Sequence, residues 1–155
     1  MRIVIDMQGA QTQSRLRGIG RYTLSLATSL VHNCGEHEII LALNGQFSET
    51  IEPIQLAFRD ILPKENIRVW ETLGNVAEHS PENTWRREAS ERIRESFLLR
   101  QKPDFVLITT LFEGFDDLFI SSIGVLDQST PIAVILYDLI PLMNSELYLS
   151  SPLSL

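Results

Sequence analysis

Short continuous apolar runs alternate along the chain with apolar stripes, and the two patterns predict different elements. Ile3-Val4-Ile5, closed by Asp6, is a β-branched run of the kind that buried strands favour. Over residues 18–33 the apolar positions Ile19, Tyr22, Leu26, Leu30 and Val31 recur with helical spacing, which predicts a helix. Asn33 and Gly35 supply its stop signal. Ile39 to Leu43 is apolar without alternation, as expected of a strand covered on both faces. A second helical stripe runs through Ile51, Ile54, Phe58, Ile61 and Leu62, limited by Pro63. Ile67 to Trp70 predicts a third strand. Residues 71–79 lack periodicity and read as loop. Ser80-Pro81-Glu82 then has the form of a helix start. The helix that follows, to about Gln101, carries Trp85, Ala89, Ile93 and Phe97 on one side and the spaced pair Glu88 and Arg92 on its solvent face. Phe105 to Ile108 predicts a fourth strand and Ile132 to Leu136 a fifth. Between them, Asp116 or Asp117 is placed to cap a short helix ending at Gly124.

Strands of the buried type separated by helices predict an α/β fold, a three-layer Rossmann-like open sheet, mainly parallel, with helices on both faces. The default strand order for this succession is 3-2-1-4-5. With 155 residues, one domain is expected. A content of 44% hydrophobic and 21% charged residues excludes a disordered or low-complexity chain. A single cysteine, Cys34, excludes an internal disulfide framework and a cysteine-based zinc cluster. The longest apolar runs are five or six residues, against the ~20 that span a bilayer, and no secretory signal precedes the first strand. A soluble, cytoplasmic protein is therefore expected.

Charge sharpens the picture. The net charge of −7 argues against nucleic acid as a partner, which would need a basic footprint. Yet eleven of the thirteen basic residues are arginine, and Arg15, Arg17 and Arg21 fall within seven positions. That cluster points to a local anion site.

In open parallel sheets ligands bind outside the carboxyl ends of the strands, where the strand order reverses. The loops that meet there carry Asp6, Gln8 and the arginines after the first strand; Thr109, Thr110 and Glu113 after the fourth; and Tyr137 and Asp138 after the fifth. Gly18 and Gly20 open a helix. Free backbone N–H groups and the helix dipole at such a point attract phosphate, and glycine lets a ligand approach closely. The same two glycines also serve simply to turn the chain into the helix. A nicotinamide dinucleotide does not fit: about eleven residues separate Asp6 from Gly18, the third glycine is missing, and Asn44 follows the second strand where an acid belongs. Asp6, Glu113 and Asp138 are candidate general bases or cation ligands, and strand-end aspartates equally cap turns. His32, His37 and His79 have no metal-ligand spacing; no metal site and no bound cofactor is expected. Trp70 and Trp85 read as packing residues.

Several of these segments together resemble a known family. Arg2-Ile3-Val4-Ile5-Asp6, Arg17-Gly18-Ile19-Gly20-Arg21-Tyr22 and Tyr137-Asp138-Leu139-Ile140-Pro141 resemble the amino-terminal half of group 1 glycosyltransferases (family 4, GT-B fold). Leu111-Phe112-Glu113-Gly114-Phe115 resembles the bacterial surface-polysaccharide, mannosyltransferase-like branch. The resemblance implies a Rossmann-like acceptor-side domain over residues 1–149 and a tail over 150–155. It implies retaining transfer of a sugar from a nucleotide-sugar to a glycan or lipid-linked acceptor. By the same resemblance, Gly18 and Gly20 belong to a loop that approaches the donor phosphate, and Asp138 matches the aspartate after the fifth strand. Many members have a histidine before that aspartate; here Tyr137 stands there, able to donate or accept a hydrogen bond. Arg17 and Arg21, on local charge, are placed to neutralise a diphosphate. The family's carboxyl-terminal domain, with its nucleotide-sugar contacts and E-x7-E pair, is not in this sequence, so the chain is expected to be a truncated domain, inactive alone. Peripheral membrane association is expected of the whole enzyme. The apolar stretch Leu139, Ile140, Leu142 and Met143 reads as a buried connection, or as surface through which the isolated chain self-associates. The alternative from another class is a flavodoxin-like binding or regulatory module.

Overall fold

A computed structural model describes residues 1–111, 113, 116–137, 143, 144 and 146. Among the described residues, five strands form one sheet: β1 (Arg2–Asp6), β2 (Glu38–Asn44), β3 (Ile67–Trp70), β4 (Phe105–Ile108) and β5 (Ile132–Val134). Their order is β3-β2-β1-β4-β5 and every pairing is parallel. Among the described residues, the helices α1 (Gly18–His32), α2 (Ser48–Phe58) and α3 (Thr84–Arg100) alternate with them. The topology is the one expected for this succession of elements, with the order reversing at β1.

Side chains of successive strand residues point to opposite faces, and here both faces are apolar. On one, Ile5, Leu41 and Leu43 pack with Ala27 and Val31 of α1 and Ile54 and Phe58 of α2. On the other, Val4, Ile40, Ala42, Val106 and Ile108 pack with Leu98 of α3, Trp70, and Ile120 from the loop after β4. Each fully buried aliphatic side chain contributes about 1.5–3 kcal/mol relative to exposure. The sheet is thus the middle of three layers, and its carboxyl edge carries all the long loops.

The structure departs from the sequence reading at four places. The second helix ends at Phe58, not at Leu62: the amides of Ile61 and Leu62 both turn back to the Phe58 carbonyl, at 3.1 and 2.9 Å. The fifth strand stops at Val134. No helix follows Asp116 or Asp117. Instead, Asp117 Oδ1 accepts the Phe119 amide at 2.9 Å, a local turn that competes with helix formation, and Phe119 and Ile120 run on buried at 1% and 0% exposure. The largest departure is on α3. Its buried face is Ser90, Arg94, Glu95 and Leu98, whereas Trp85 and Ile93 are 59% and 38% exposed. Trp70 does pack; Trp85 does not, and the Arg86 guanidinium lies 5.0 Å from its ring centroid. Arg92 donates to the Glu88 main-chain carbonyl at 2.8 Å, and the ion pair of that helix face is Arg87–Glu91 at 3.7 Å. No helix among the described residues is long and apolar enough to cross a membrane.

Candidate functional site: the carboxyl edge around β1

Beyond Asp6 the chain makes two tight turns, Gln8–Ala10 and Gln13–Leu16, before entering α1 at Gly18. A buried polar network fixes the first of them. Gln8 is 1% exposed; its Nε2 donates to Asp6 Oδ2 and to the Ile120 carbonyl, and its Oε1 accepts from Asn44 Nδ2 (3.0 Å) and the Ile120 amide (3.1 Å). Gln11 adds a second layer: its Oε1 accepts the Asn44 amide, and its Nε2 reaches Thr50 Oγ1 at 2.9 Å. Loops after β1, β2 and β4 are thereby tied to one another by side-chain amides, which carry donors and acceptors together.

Asp6 belongs to this scaffold. It is 2% exposed, and its Oδ2 accepts from Arg94 Nε at 2.8 Å and from Arg94 Nη2. Its Oδ1 accepts the Gln8 amide at 3.0 Å. Arg94 itself is fully buried and donates its remaining nitrogen to the Ser122 carbonyl. Both carboxylate oxygens are therefore engaged by the protein's own groups. The apolar spacing of α3 does not mark Arg94. The signal for it was an arginine where a helix stripe turns inward, opposite a strand-end aspartate.

The two glycines play different parts. Among the described residues, a Cβ on Gly18 would meet nothing within 4 Å. A Cβ on Gly20 would overlap the Arg15 main chain; there the glycine lets the second tight turn lie against the helix. Arg17 is the N-cap residue but makes no side-chain cap, and the first bond into the helix runs from the Arg21 amide to the Arg17 carbonyl at 3.1 Å. The preceding amides of a helix have no intrahelical acceptor and carry the positive end of its dipole. Arg21 is exposed, with one guanidinium nitrogen 3.3 Å from the Leu16 carbonyl. Arg15 faces Glu49 at 3.7 Å.

Glu113 and Tyr137 converge on this same turn. Glu113 is half-buried; loss of water pushes its carboxyl above the ordinary value of 4.5, against hydrogen bonds from Ser14 and Thr12 and the charge of Arg17. The Tyr137 hydroxyl lies 3.2 Å from Thr23 Oγ1 and 3.4 Å from the Ile19 carbonyl. Its ring meets Tyr22 edge-to-face at 5.6 Å, a favoured aromatic geometry. Burial raises its pKa above 10, opposed by the Thr23 hydrogen bond and assisted by Tyr22 and Glu113. A neutral phenol is therefore fixed against the first turns of α1, between Ile19, Tyr22 and Thr23.

Beneath these groups, Gly9 lies where a Cβ would collide with the hydroxyls of Thr23 and Thr109. Thr109 in turn donates to the Asp6 carbonyl at 2.7 Å. Gly9, Ser14 and Thr23 also belong to this constellation, and a glycine three residues after the strand-end acid is its visible trace in the sequence. Arg17, Glu113, Tyr137, Gly18 and the start of α1 are thus brought together, while Asp6 lies in the layer below. Asp138 falls outside the described residues, as do Phe112, Gly114 and Phe115 of the second motif and Leu139, Ile140 and Leu142 of the apolar stretch. Among the described residues no group of three or more His, Cys, Asp or Glu side chains is arranged to hold a metal ion.

No family model matches the chain, and no solved structure matches it. Curated proteins do. The chain is 33% identical over 98% of its length to a serotype-specific mannosyltransferase WbdA of Escherichia coli. Two further Escherichia coli proteins of that name are 30% and 29% identical over 82% of the chain. It spans only 18%, 16% and 16% of the lengths of these relatives. An α/β sheet whose residues align nearly end to end with one segment of such enzymes has a plain relationship: the chain is a homologue of part of the WbdA mannosyltransferases, and its relatives are glycosyltransferases.

Proposed function

We propose that this chain is the acceptor-side domain of a retaining glycosyltransferase that moves a sugar, mannose by its relatives' name, from a nucleotide-sugar to a glycan or lipid-linked acceptor. The observation that carries the reading is the 33% identity to a mannosyltransferase along 98% of the chain. The carboxyl edge suits the part. When a sugar leaves a nucleotide-sugar, negative charge grows on the departing diphosphate. Donors aimed at that charge before the reaction begins are the strongest contribution a site can make. The first amides of α1, where no described residue would meet a Cβ on Gly18, with Arg17 and Arg21 close in sequence, are such donors. Glu113, near Thr12, Ser14 and Arg17, and Tyr137, against Ile19 and Thr23, come from the neighbouring loops, and Tyr137 and Asp138 are the candidate catalytic residues. By the family resemblance, most nucleotide contacts and the paired glutamates belong to a second domain.

The test is made on the complete polypeptide that carries this segment, supplied with a panel of nucleotide-sugars. Transfer or hydrolysis of one of them is expected. Replacing Arg17 and Arg21 together by alanine should lower kcat/KM by about 10–100-fold, the loss of one or two charge-assisted contacts, without changing the melting temperature. If no nucleotide-sugar is consumed, the reading fails.

A further inference from the structure

Most of the apolar stripe of α3 lies outside the core. Trp85 and Ile93 are 59% and 38% exposed, and with Ala89 and Phe97 they recur every four residues, so they share one helix face. Scattered exposed apolar side chains need no explanation; a row of them along a 17-residue helix, about 26 Å long, does. Between this face and the end of β3 runs a groove of about 500 Å³, lined in part by Trp70, Ile93, Phe97 and Leu126 and by Arg92 and Arg100. Trp85 is not part of that lining and stands nearer the amino end of the helix. The Arg86 guanidinium lies 5.0 Å from its ring centroid and is tethered to Asn83 Oδ1 at 3.2 Å, which steadies the indole.

Charge is divided along the same face. Glu82, a turn before Trp85, and Glu88 are exposed in its amino-terminal half, and Arg92 and Arg100 are exposed in its carboxyl-terminal half. None of these four is in an ion pair among the described residues. Acids and a protruding indole thus lie on one side of a midpoint, with arginines and a groove on the other. Such a face is complementary to itself turned end for end, which is what a two-fold interface requires. We propose that this face is the contact between two copies of the chain, their α3 helices antiparallel and crossing between Ala89 and Ile93. Trp85 of each copy then faces the turn of Ser96 and Phe97 in the other and enters its groove. Glu88 of one copy comes opposite Arg92 of the other, and Glu82 opposite Arg100, in both directions. The α1 helix packs on the opposite face of the sheet, so the contact leaves the start of α1 uncovered, and it does not depend on the glycosyltransferase reading. A contact of this length falls at the small end of protein interfaces, below roughly 1,200 Å² in all, and a micromolar dissociation constant is expected. A membrane fits the face less well, because an anionic surface repels Glu82 and Glu88 beside the indole.

Sedimentation equilibrium of the full chain over a range of concentrations should show monomer passing to dimer and no further, because a two-fold contact closes on itself. Trp85→Ala, at an exposed position, should weaken the dimer about tenfold or more, the scale of losing an anchoring aromatic, with the monomer's melting temperature unchanged. Glu88→Arg and Arg92→Glu each set like charges opposite one another twice, and each should weaken self-association by about tenfold. Mixed in equal amounts, these two variants should pair with each other, since every arginine at the two positions then meets a glutamate again. The proposal is overturned by a chain still monomeric at about 0.5 mM, far above a micromolar dissociation constant. A dimer that Trp85→Ala and both charge variants leave intact overturns it too, as does a mixture that associates no better than its components. A monomer that binds phosphatidylglycerol vesicles through Trp85 would assign the face to a membrane and end the proposal equally.

Discussion

A guanidinium with none of its surface in water is tolerable only when its charge is met, and Arg94 is met by Asp6. Removing one partner of such a pair leaves an uncompensated buried charge, which costs about 3–5 kcal/mol. Arg94→Met is therefore expected to lower the urea-unfolding free energy by that amount. Adding Asp6→Leu should recover only part of it, because the Gln8 amide and Nε2 then lose their acceptor. Glu113 is the opposite case. Burial holds its folded pKa above 4.5, so the folded chain binds that proton more tightly than the unfolded chain. Its contribution to stability is then fully present below pH 4.5 and is lost as pH rises through the raised folded value. Glu113→Gln, which keeps an acceptor for Ser14 and Thr12, should raise the melting temperature at pH 7 and leave it nearly unchanged at pH 4. A larger gain at pH 4 than at pH 7 would contradict this.

The start of α1 shows what one element asks of its residues. Gly20 sits where the Arg15 main chain passes too close for a side chain, and forcing one in costs about 1–3 kcal/mol. Gly20→Ala should destabilise by that amount in thermal melts, while Gly18→Ala, whose Cβ would meet no described residue within 4 Å, stays within about 0.5 kcal/mol. From sequence the two glycines look alike, because an unmade Cβ contact with a turn five residues earlier leaves no local mark. Much else at this scale was legible. The period of Ile19, Tyr22, Leu26 and Leu30 gave α1, and the unbroken apolar runs gave strands buried on both faces. Periodicity failed on α3, where Trp85, Ala89, Ile93 and Phe97 form the more apolar stripe and yet Ser90, Arg94 and Glu95 are inside. Hydrophobic spacing assumes an apolar interior; a buried ion pair and a carboxylate accepting the Leu126 amide at 2.7 Å override it. The site was legible in the same uneven way: loop positions placed Glu113 and Tyr137 at one rim, but nothing local tells that Tyr137 would hydrogen-bond Thr23, 114 positions away.

For the molecule as a whole, the carboxyl edge is the part of the sheet built from polar side chains, and it is as dry as the core. Gln8, Gln11, Thr12 and Asn44 are each 0–1% exposed. Their hydrogen bonds join the loops after β1, β2 and β4 where no ladder does. Main-chain groups outside regular elements ordinarily trade their hydrogens with solvent quickly, because loops open at little cost. Here the amides of Gln8 and Ile120, like that of Asn44 at the end of β2, end on buried side-chain oxygens, and can exchange only when the network parts. In heavy water they should hold their protons as long as the middle of β1 does. The amides of Ser129 and Thr130 also end on a carboxylate, that of Asp127, whose pKa the Ser129 and Thr130 hydroxyls hold far below the ordinary range. That turn lies at the surface, and its amides should be deuterated within the first minutes. Two sets of loop amides with similar partners would then differ in lifetime because only one set lies in the dry edge of the sheet.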